Sequence, residues 1–136
     1  MDAELICIVY LKKQLEGIMP IDIPGIDAQT ALELYDNDME VYKTILCSFV
    51  SRIPAVIDKI RDVSSETLPD YLIKIHSLKG SGGNVGAKEI AAEATRLEAM
   101  AKSGDLAGIQ AGNGDFLEKI RVLINDIKKW LEQIDA

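Results

Sequence analysis

Apolar residues recur three and four positions apart along most of this sequence, and that spacing constrains the fold more than any other feature. Over residues 39–63 the apolar positions, from Val41 through Phe49 to Ile60, follow one helical face for about six turns. Pro54 lies inside this stretch and predicts a kink or a short interruption. An apolar face of that length must be buried against other helices, so the pattern predicts an all-α fold.

Capping and turn residues divide the rest of the chain into further helices. Asp27 can cap a short helix that ends near Leu34. Two longer helices are predicted over residues 67–84 and 87–102, and Gly104 follows the second as a C-terminal stop.

The last helix is predicted in two parts. Residues 106–111 have a helical pattern, which the Gly-Asn-Gly sequence at residues 112–114 should break or bend. From Asp115 the pattern is strong again and extends to Ile134. Four long amphipathic segments joined by short turns are typical of an antiparallel, up-and-down four-helix bundle.

Residues 1–21 are predicted to be an N-terminal extension that adds a helical segment to the bundle domain of residues 22–136. The apolar run at residues 5–11 is rich in β-branched residues, so a strand is the alternative there. This run is far shorter than the ~20 apolar residues of a membrane-spanning helix, and it lacks the basic start of a signal peptide. Two prolines and a glycine within residues 19–25 mark a linker or an extended loop.

The charge balance argues against several classes of partner. The chain has 22 acidic and 15 basic residues, a net charge of −7, which disfavours nucleic acid and anionic membrane surfaces. Cys7 and Cys47 form no CxxC pair and lie near no second histidine, so we expect buried free thiols and no metal site. We expect a cytoplasmic protein, because free thiols persist in a reducing compartment. We also expect a monomer.

The sequence contains a single histidine, His76, inside the helix predicted over residues 67–84. At ~100° per residue it falls about 110° from the middle of the apolar stripe, so its ring should be reachable from water. Lys79 lies one turn later, near enough for its ammonium to approach a group on His76. Gly80 lies directly above His76 on the same face, and Gly83 completes the next turn. Because glycine costs ~1 kcal/mol inside a helix, these glycines indicate a bare surface that another protein's backbone can approach.

This combination of residues suits the carriage of a phosphoryl group. A neutral imidazole is a good nucleophile near neutral pH, and a nearby lysine can compensate part of the charge of a phosphorylated imidazole. Each residue alone has a plainer interpretation: a lone histidine is usually a surface residue, a lysine a solvated charge and a glycine run a turn. The glycines fit no nucleotide-binding loop, since the chain has no GxxxxGK[ST] and no GxGxxG between a strand and a helix. The features favour phosphoryl transfer because they occur together.

The motif at residues 76–87 reads His-x-x-Lys-Gly, then five further residues, then Gly-Ala. It resembles the HxxKG-x(5)-GA signature of histidine-containing phosphotransfer (HPt) domains. The similarity covers roughly residues 22–135 and includes Ile-Pro-Gly-Ile-Asp at residues 23–27 and Leu-Glu at residues 97–98. The Gly-Asn-Gly sequence at residues 112–114 departs from the family's pattern.

The resemblance implies a role for each residue of the motif. His76 would be the phosphoacceptor, and Lys79 would stabilise the charge of the phosphoryl group. Gly86 would let the chain turn between the two helices of the motif. The partner-binding residues would be Gly80, Ser81 and Gly83.

The function implied by the resemblance is passive carriage in a two-component phosphorelay, from an aspartyl phosphate of one receiver domain to an aspartate of another. Such a chain would not be an enzyme and would bind no cofactor itself, and the Mg²⁺ needed for transfer would belong to the partner receiver domain. Two alternatives stay open: an adaptor that docks a receiver domain without taking its phosphate, and the excised phosphoacceptor domain of a hybrid or chemotaxis-type histidine kinase. A metal-binding bundle would need paired Glu-x-x-His motifs, which one histidine cannot supply.

Overall fold

The computed structural model describes residues 21–134, which form five α-helices and no strand. The helices are α1 (Ala28–Leu34), α2 (Met39–Lys59), α3 (Leu68–Val85), α4 (Lys88–Ser103) and α5 (Leu106–Ile134). The prediction of an all-α fold is confirmed. The extra helical segment predicted in the N-terminal extension, and the strand that is its alternative at residues 5–11, lie outside the described residues.

Aspartate side chains cap three of the helices, as their sequence positions indicate. Asp27 accepts a hydrogen bond from the backbone N–H of Thr30 at the start of α1, with an N···O distance of 3.2 Å. Asp38 accepts in the same way from two backbone N–H groups of α2. Asp105 accepts from the backbone N–H of Gly108 in α5, at 2.9 Å. Each carboxylate satisfies an N–H group that has no partner inside its helix.

Helix α2 is continuous through Pro54, so the predicted interruption is absent. Ile53 and Ile57, on either side of the proline, are buried. Their burial offsets the backbone hydrogen bond that proline cannot donate. The helix ends at Lys59 rather than near residue 63, and the buried Val63 reaches the core from the turn that follows.

Helix α5 is one element from Leu106 to Ile134, so the predicted break at residues 112–114 is wrong. Asn113 is buried in the middle of this glycine-rich turn. Its side-chain amide donates to the backbone carbonyl of Ile60 at 2.8 Å, and its Oδ1 accepts from the hydroxyl of Tyr71 at 2.9 Å. These tertiary hydrogen bonds stabilise the helical turn that the neighbouring glycines weaken.

The hydrophobic core lies between the helices and consists of the apolar stripes that the sequence predicts. Leu46 of α2, Ile75 of α3 and Leu97 of α4 are among its fully buried members. Cys47 is exposed, so the predicted burial of its thiol is wrong. One step of ~100° from Leu46 turns this side chain from the core toward solvent. Cys7 lies outside the described residues.

Helices α3 and α4 form a hairpin that contains the whole motif. Gly86 ends α3 with φ at +86°, in the left-handed region that glycine tolerates best. The N–H of Ala87 then donates to the carbonyl of Gly82 at 2.8 Å, which closes the end of the helix. A Cβ on Gly82 would lie 3.3 Å from the side chain of Ile90, so glycine lets the two helices pack closely beside the turn.

Helix α1 and the start of α2 fix the end of the motif helix from outside. A Cβ on Gly86 would lie 2.7 Å from the backbone oxygen of Asp27, so this glycine permits a close backbone approach as well as the turn. The N–H of Asp27 donates to the carbonyl of Gly86 at 2.8 Å. The hydroxyls of Tyr35 and Tyr42 donate to the last two carbonyls of α3, at 2.8 and 2.7 Å. The orientation of α3 is thereby fixed at its C-terminal end.

Candidate functional site

His76 lies in the middle of α3 with 68% of its side chain exposed to solvent. The adjacent Ile75 and the nearby Leu78 are both buried, so the helix directs the imidazole away from the core. The predicted exposure of the ring is confirmed. A partner protein can therefore reach this imidazole without any rearrangement of the bundle.

A buried carboxylate of α4 binds the inner side of the imidazole. Only 6% of the Glu98 side chain is exposed, and its Oε2 lies 2.5 Å from Nδ1 of His76. The ammonium of Lys79 donates to Oε1 of the same carboxylate at 2.9 Å. Two motif residues that lie one turn apart on α3 are thus joined through one residue of α4.

These hydrogen bonds keep the Glu98 carboxylate ionised. The bond from Lys79, followed by the bond from His76, lowers the pKa of Glu98 to about 2, although burial acts in the opposite direction. An ionised carboxylate can only accept hydrogen bonds, so the proton of this contact belongs to Nδ1 of His76. In the neutral ring the free lone pair is then on Nε2. The arrangement leaves Nε2 as the ring nitrogen that is available to act as a nucleophile.

A bare strip of α3, formed by Gly80 and Gly83, continues the face that His76 occupies. No atom lies within 4 Å of the position that a Cβ would take on either glycine. Ile73, one turn before His76, leaves 68% of its surface exposed and adds an apolar contact area. Ser81 points elsewhere, because it is half-buried and lines a cavity of about 80 Å³ between α2 and α3. The structure therefore places Gly80 and Gly83 on the His76 face, but not Ser81.

A protein-family model described as "Hpt domain" matches residues 44–136, which include this site. The chain belongs to the Hpt domain family. No curated protein matches the chain, and no solved structure does. Hpt domains are helical phosphocarriers, so the chain has a role related to phosphotransfer in two-component signalling.

The matched range of the Hpt domain contains most of α2 and all of α3, α4 and α5. Helix α1 lies before the match, although it packs against the turn between α3 and α4. The division of the chain into residues 1–21 and 22–136 stays a prediction.

Two charged residues of this site, Glu98 and Lys102, were not identified as site residues from the sequence, although Leu-Glu at residues 97–98 formed part of the family resemblance. Glu98 follows Leu97 within the buried stripe of α4, and an acidic residue in such a stripe needs partners once it is buried. The position of Glu98 in this stripe is therefore the sequence feature that could have indicated a buried, partnered carboxylate. Lys102 lies one turn later, with its Nζ 3.6 Å from Oε1 of Glu98. Its place beside the motif depends on how α4 pairs with α3, which no local pattern reveals.

Metal ligands and membrane-spanning helices are two features that the described residues do not show. Within residues 21–134, no group of three or more His, Cys, Asp or Glu side chains is arranged to hold a metal ion. None of the helices described here combines the length and the apolar character needed to span a membrane.

Proposed function

We propose that this Hpt domain is the histidine phosphotransfer protein of a phosphorelay. His76 accepts a phosphoryl group from an aspartyl phosphate of one receiver domain and passes it to an aspartate of another. The observation that carries the proposal is the contact between Nδ1 of His76 and the buried, ionised Glu98. This contact leaves Nε2 as the free nitrogen of a ring that is largely exposed. The protein acts as a cytoplasmic monomer and needs no nucleotide or metal of its own.

The transfer step follows from the groups around the imidazole. The Nε2 lone pair of His76 attacks the phosphorus atom, the P–O bond to the donor aspartate breaks, and the aspartate leaves as a carboxylate. The ring keeps its proton on Nδ1, so its new positive charge faces the Glu98 carboxylate. Lys79 compensates part of the phosphoryl charge, and Mg²⁺ bound by the receiver domain compensates more. The same step in reverse, at a second receiver domain, completes the relay.

The bare strip formed by Gly80 and Gly83 is the docking surface in this proposal. Without Cβ atoms at these positions, the partner's backbone can approach α3 closely enough to bring its aspartate in line with Nε2. The exposed Ile73 supplies an apolar contact beside the strip. Ser81, in the cavity between α2 and α3, has at most a place at the edge of this surface.

Replacement of the imidazole tests the proposal. We expect His76→Gln to abolish labelling by a radiolabelled, phosphorylated receiver domain, because glutamine has no nucleophilic nitrogen. The exposed position should leave helicity and thermal unfolding unchanged, as measured by circular dichroism. Acid-labile label on the wild-type chain and none on the variant is the expected result.

The adaptor alternative gives a different outcome in the same assay. A pure adaptor would bind the receiver domain, but the wild-type chain would form no phosphohistidine. Equal labelling of the wild type and His76→Gln would instead place the phosphoryl group on another residue. Either outcome contradicts the carrier function.

A further inference from the structure

Helices α4 and α5 enclose a groove that the proposed phosphoryl transfer does not use. It forms a cavity of about 470 Å³, which is larger than the cavities between α2 and α3 and between α2 and α5. Ile90 of α4 and Val122 and Leu123 of α5 line it, together with Pro24 from the segment before α1. Val122 leaves 51% of its surface exposed, although most apolar residues of α5 are buried. An apolar side chain open to water inside a groove is typical of an interaction surface.

Charged side chains surround this apolar lining, and most of them are acidic. Four carboxylates and one ammonium line the groove: Glu89, Asp115, Glu118, Asp126 and Lys119. The ammonium of Lys119 already lies 3.4 Å from a carboxylate oxygen of Glu89 and 2.5 Å from one of Glu93. Neither Asp115 nor Asp126 forms an ion pair with any residue of 21–134. The groove therefore has a negative potential and keeps two aspartates available for the cations of a partner.

These two aspartates lie at the two ends of one face of α5. They are eleven residues apart in the sequence, which is about 20° more than three full turns and about 17 Å along the helix axis. Val122 lies between them on the same face, at about −20° from Asp115. A partner that pairs with both aspartates must extend along α5 for about three turns and present apolar side chains between its cations.

The backbone around the groove favours a helix as this partner. The walls are two α-helices, whose N–H and C=O groups are bonded within each helix. An extended peptide would find no backbone partners there, whereas a helix satisfies its own backbone groups. A second copy of this chain is disfavoured, because its own groove is also acidic and each chain has a net charge of −7. Charge complementarity favours a basic helix.

We propose that the groove between α4 and α5 binds a basic amphipathic helix of a partner protein. Lysine or arginine side chains of that helix pair with Asp115 and Asp126, and apolar side chains between them cover Val122. The groove is separate from the phosphotransfer site, because Glu89 lies nine residues before Glu98 and therefore about 180° around α4. A partner bound there leaves His76 open to a receiver domain. The inference does not depend on phosphoryl transfer itself.

A synthetic helix tests the groove in the full chain. The probe is an alanine-based peptide of about five turns, with two lysines about 11 residues apart and two leucines between them on the same face. Glutamines on its opposite face keep it soluble. The peptide is titrated into the ¹⁵N-labelled chain and followed in ¹H–¹⁵N spectra. We expect shifts of the amide signals of residues 89–90 and 115–126, and none at residues 76–83.

Two double variants with the same net charge show whether the aspartates of the groove bind the peptide. Asp115→Asn/Asp126→Asn should weaken binding by about fivefold, the combined effect of two exposed ion pairs. Glu33→Gln/Glu66→Gln is the matched control, because it removes two exposed carboxylates elsewhere, and it should bind the peptide as the wild type does. Val122→Ser should also weaken binding, since it removes the apolar contact.

Each of four results would overturn the inference. No shift at residues 115–126 would mean that the groove binds no such helix. Equal affinities of the two double variants would mean that net charge alone attracts the peptide. Shifts at residues 76–83 would place the peptide at the phosphotransfer site. Shifts at residues 115–126 that grow with the concentration of the chain alone would make the groove an interface between two copies. The labelling of His76, measured separately, tests the proposed function in each case.

Discussion

Two helices of this Hpt domain contain clusters of glycine, and the residue that accompanies the glycines differs: an exposed histidine in one helix and a buried asparagine in the other. In α3, Gly80 and Gly83 face open space on the side of the exposed His76. In α5, the glycines of residues 112–114 flank Asn113, which is buried and hydrogen-bonded to two other parts of the chain. The same local signal thus accompanies an open helix face beside an exposed histidine in one helix and a buried hydrogen-bonding residue in the other. The contacts of each cluster with the other helices, rather than its local sequence, distinguish the two cases.

The two buried polar residues of the described chain show the same contrast. Glu98 binds charged or titratable groups, His76 and Lys79, that stay partly exposed and available for chemistry. Asn113 binds the neutral hydroxyl of Tyr71 and a backbone carbonyl in the core. The first arrangement links the core to titratable groups at the surface, while the second lies within the core.

The largest predicted effect is on α5. Asn113→Ala leaves the carbonyl of Ile60 and the hydroxyl of Tyr71 buried without their partner. Two unsatisfied groups should reduce the free energy of unfolding by roughly 2–4 kcal/mol. Urea unfolding followed by circular dichroism measures the change.

Asn125→Ala is the control on the same helix, because Asn125 is exposed. It should change the free energy of unfolding by less than about 0.5 kcal/mol. Equal effects of the two substitutions would mean that the buried hydrogen bonds of Asn113 do not hold α5 together.

A pair of substitutions separates the two glycine clusters. Gly80→Ala and Gly114→Ala both place a methyl group where no atom lies within 4 Å. Because alanine is the better helix former, each should raise the free energy of unfolding by about 0.5–1 kcal/mol. Only Gly80→Ala should slow phosphoryl transfer from a receiver domain, by about tenfold, or about 1.4 kcal/mol.

Phosphoramidate, a small-molecule phosphoryl donor, can label His76 without docking of a receiver domain. Labelling by this donor therefore shows whether a substitution affects the chemistry of His76 or only the docking of the partner. Both alanine variants should be labelled at the wild-type rate. A wild-type rate of transfer from the receiver domain to Gly80→Ala would show that the strip is not the docking surface.

The smallest effect concerns the pH dependence of stability. The pKa of Glu98 is lowered from its ordinary value of 4.5 to about 2 in the folded chain. At pH values above 4.5, the ionised carboxylate therefore stabilises the fold. That contribution is lost as the pH falls from about 4.5 to about 2. The stability of the wild type should therefore fall relative to Glu98→Gln over this interval, as measured by urea unfolding at several pH values.

Asn113 provides the contrast, because it has no titratable group. The loss of stability in Asn113→Ala should be the same at each pH. A constant difference between the wild type and Glu98→Gln would contradict the ionic contacts of Glu98.

The parts of the fold that are encoded locally could be predicted from the sequence. Asp27 was identified as a cap because a cap acts within a few residues of its own position. His76, Lys79 and Gly80 could be grouped because one helix places them one turn apart. For this reason the exposed ring and the all-α fold were correctly predicted.

Features that depend on contacts between helices could not be predicted in the same way. The break expected at residues 112–114 is absent because Asn113 bonds to residues 42 and 53 positions away in the chain. Glu98 lies 22 positions from His76, so its contact with the imidazole appears only after α4 folds back along α3. The exposure of Cys47 depends on which face of α2 the other helices cover.

The central claim is that Glu98 keeps the proton on Nδ1 of His76 and leaves Nε2 to take the phosphoryl group. The most direct test is the ¹H–¹⁵N spectrum of the imidazole in the ¹⁵N-labelled chain, before and after phosphorylation by a receiver domain. We predict a proton on Nδ1 in the unmodified ring and, after transfer, phosphorus bonded to Nε2. Phosphorus on Nδ1, or no phosphohistidine at residue 76, would contradict the account.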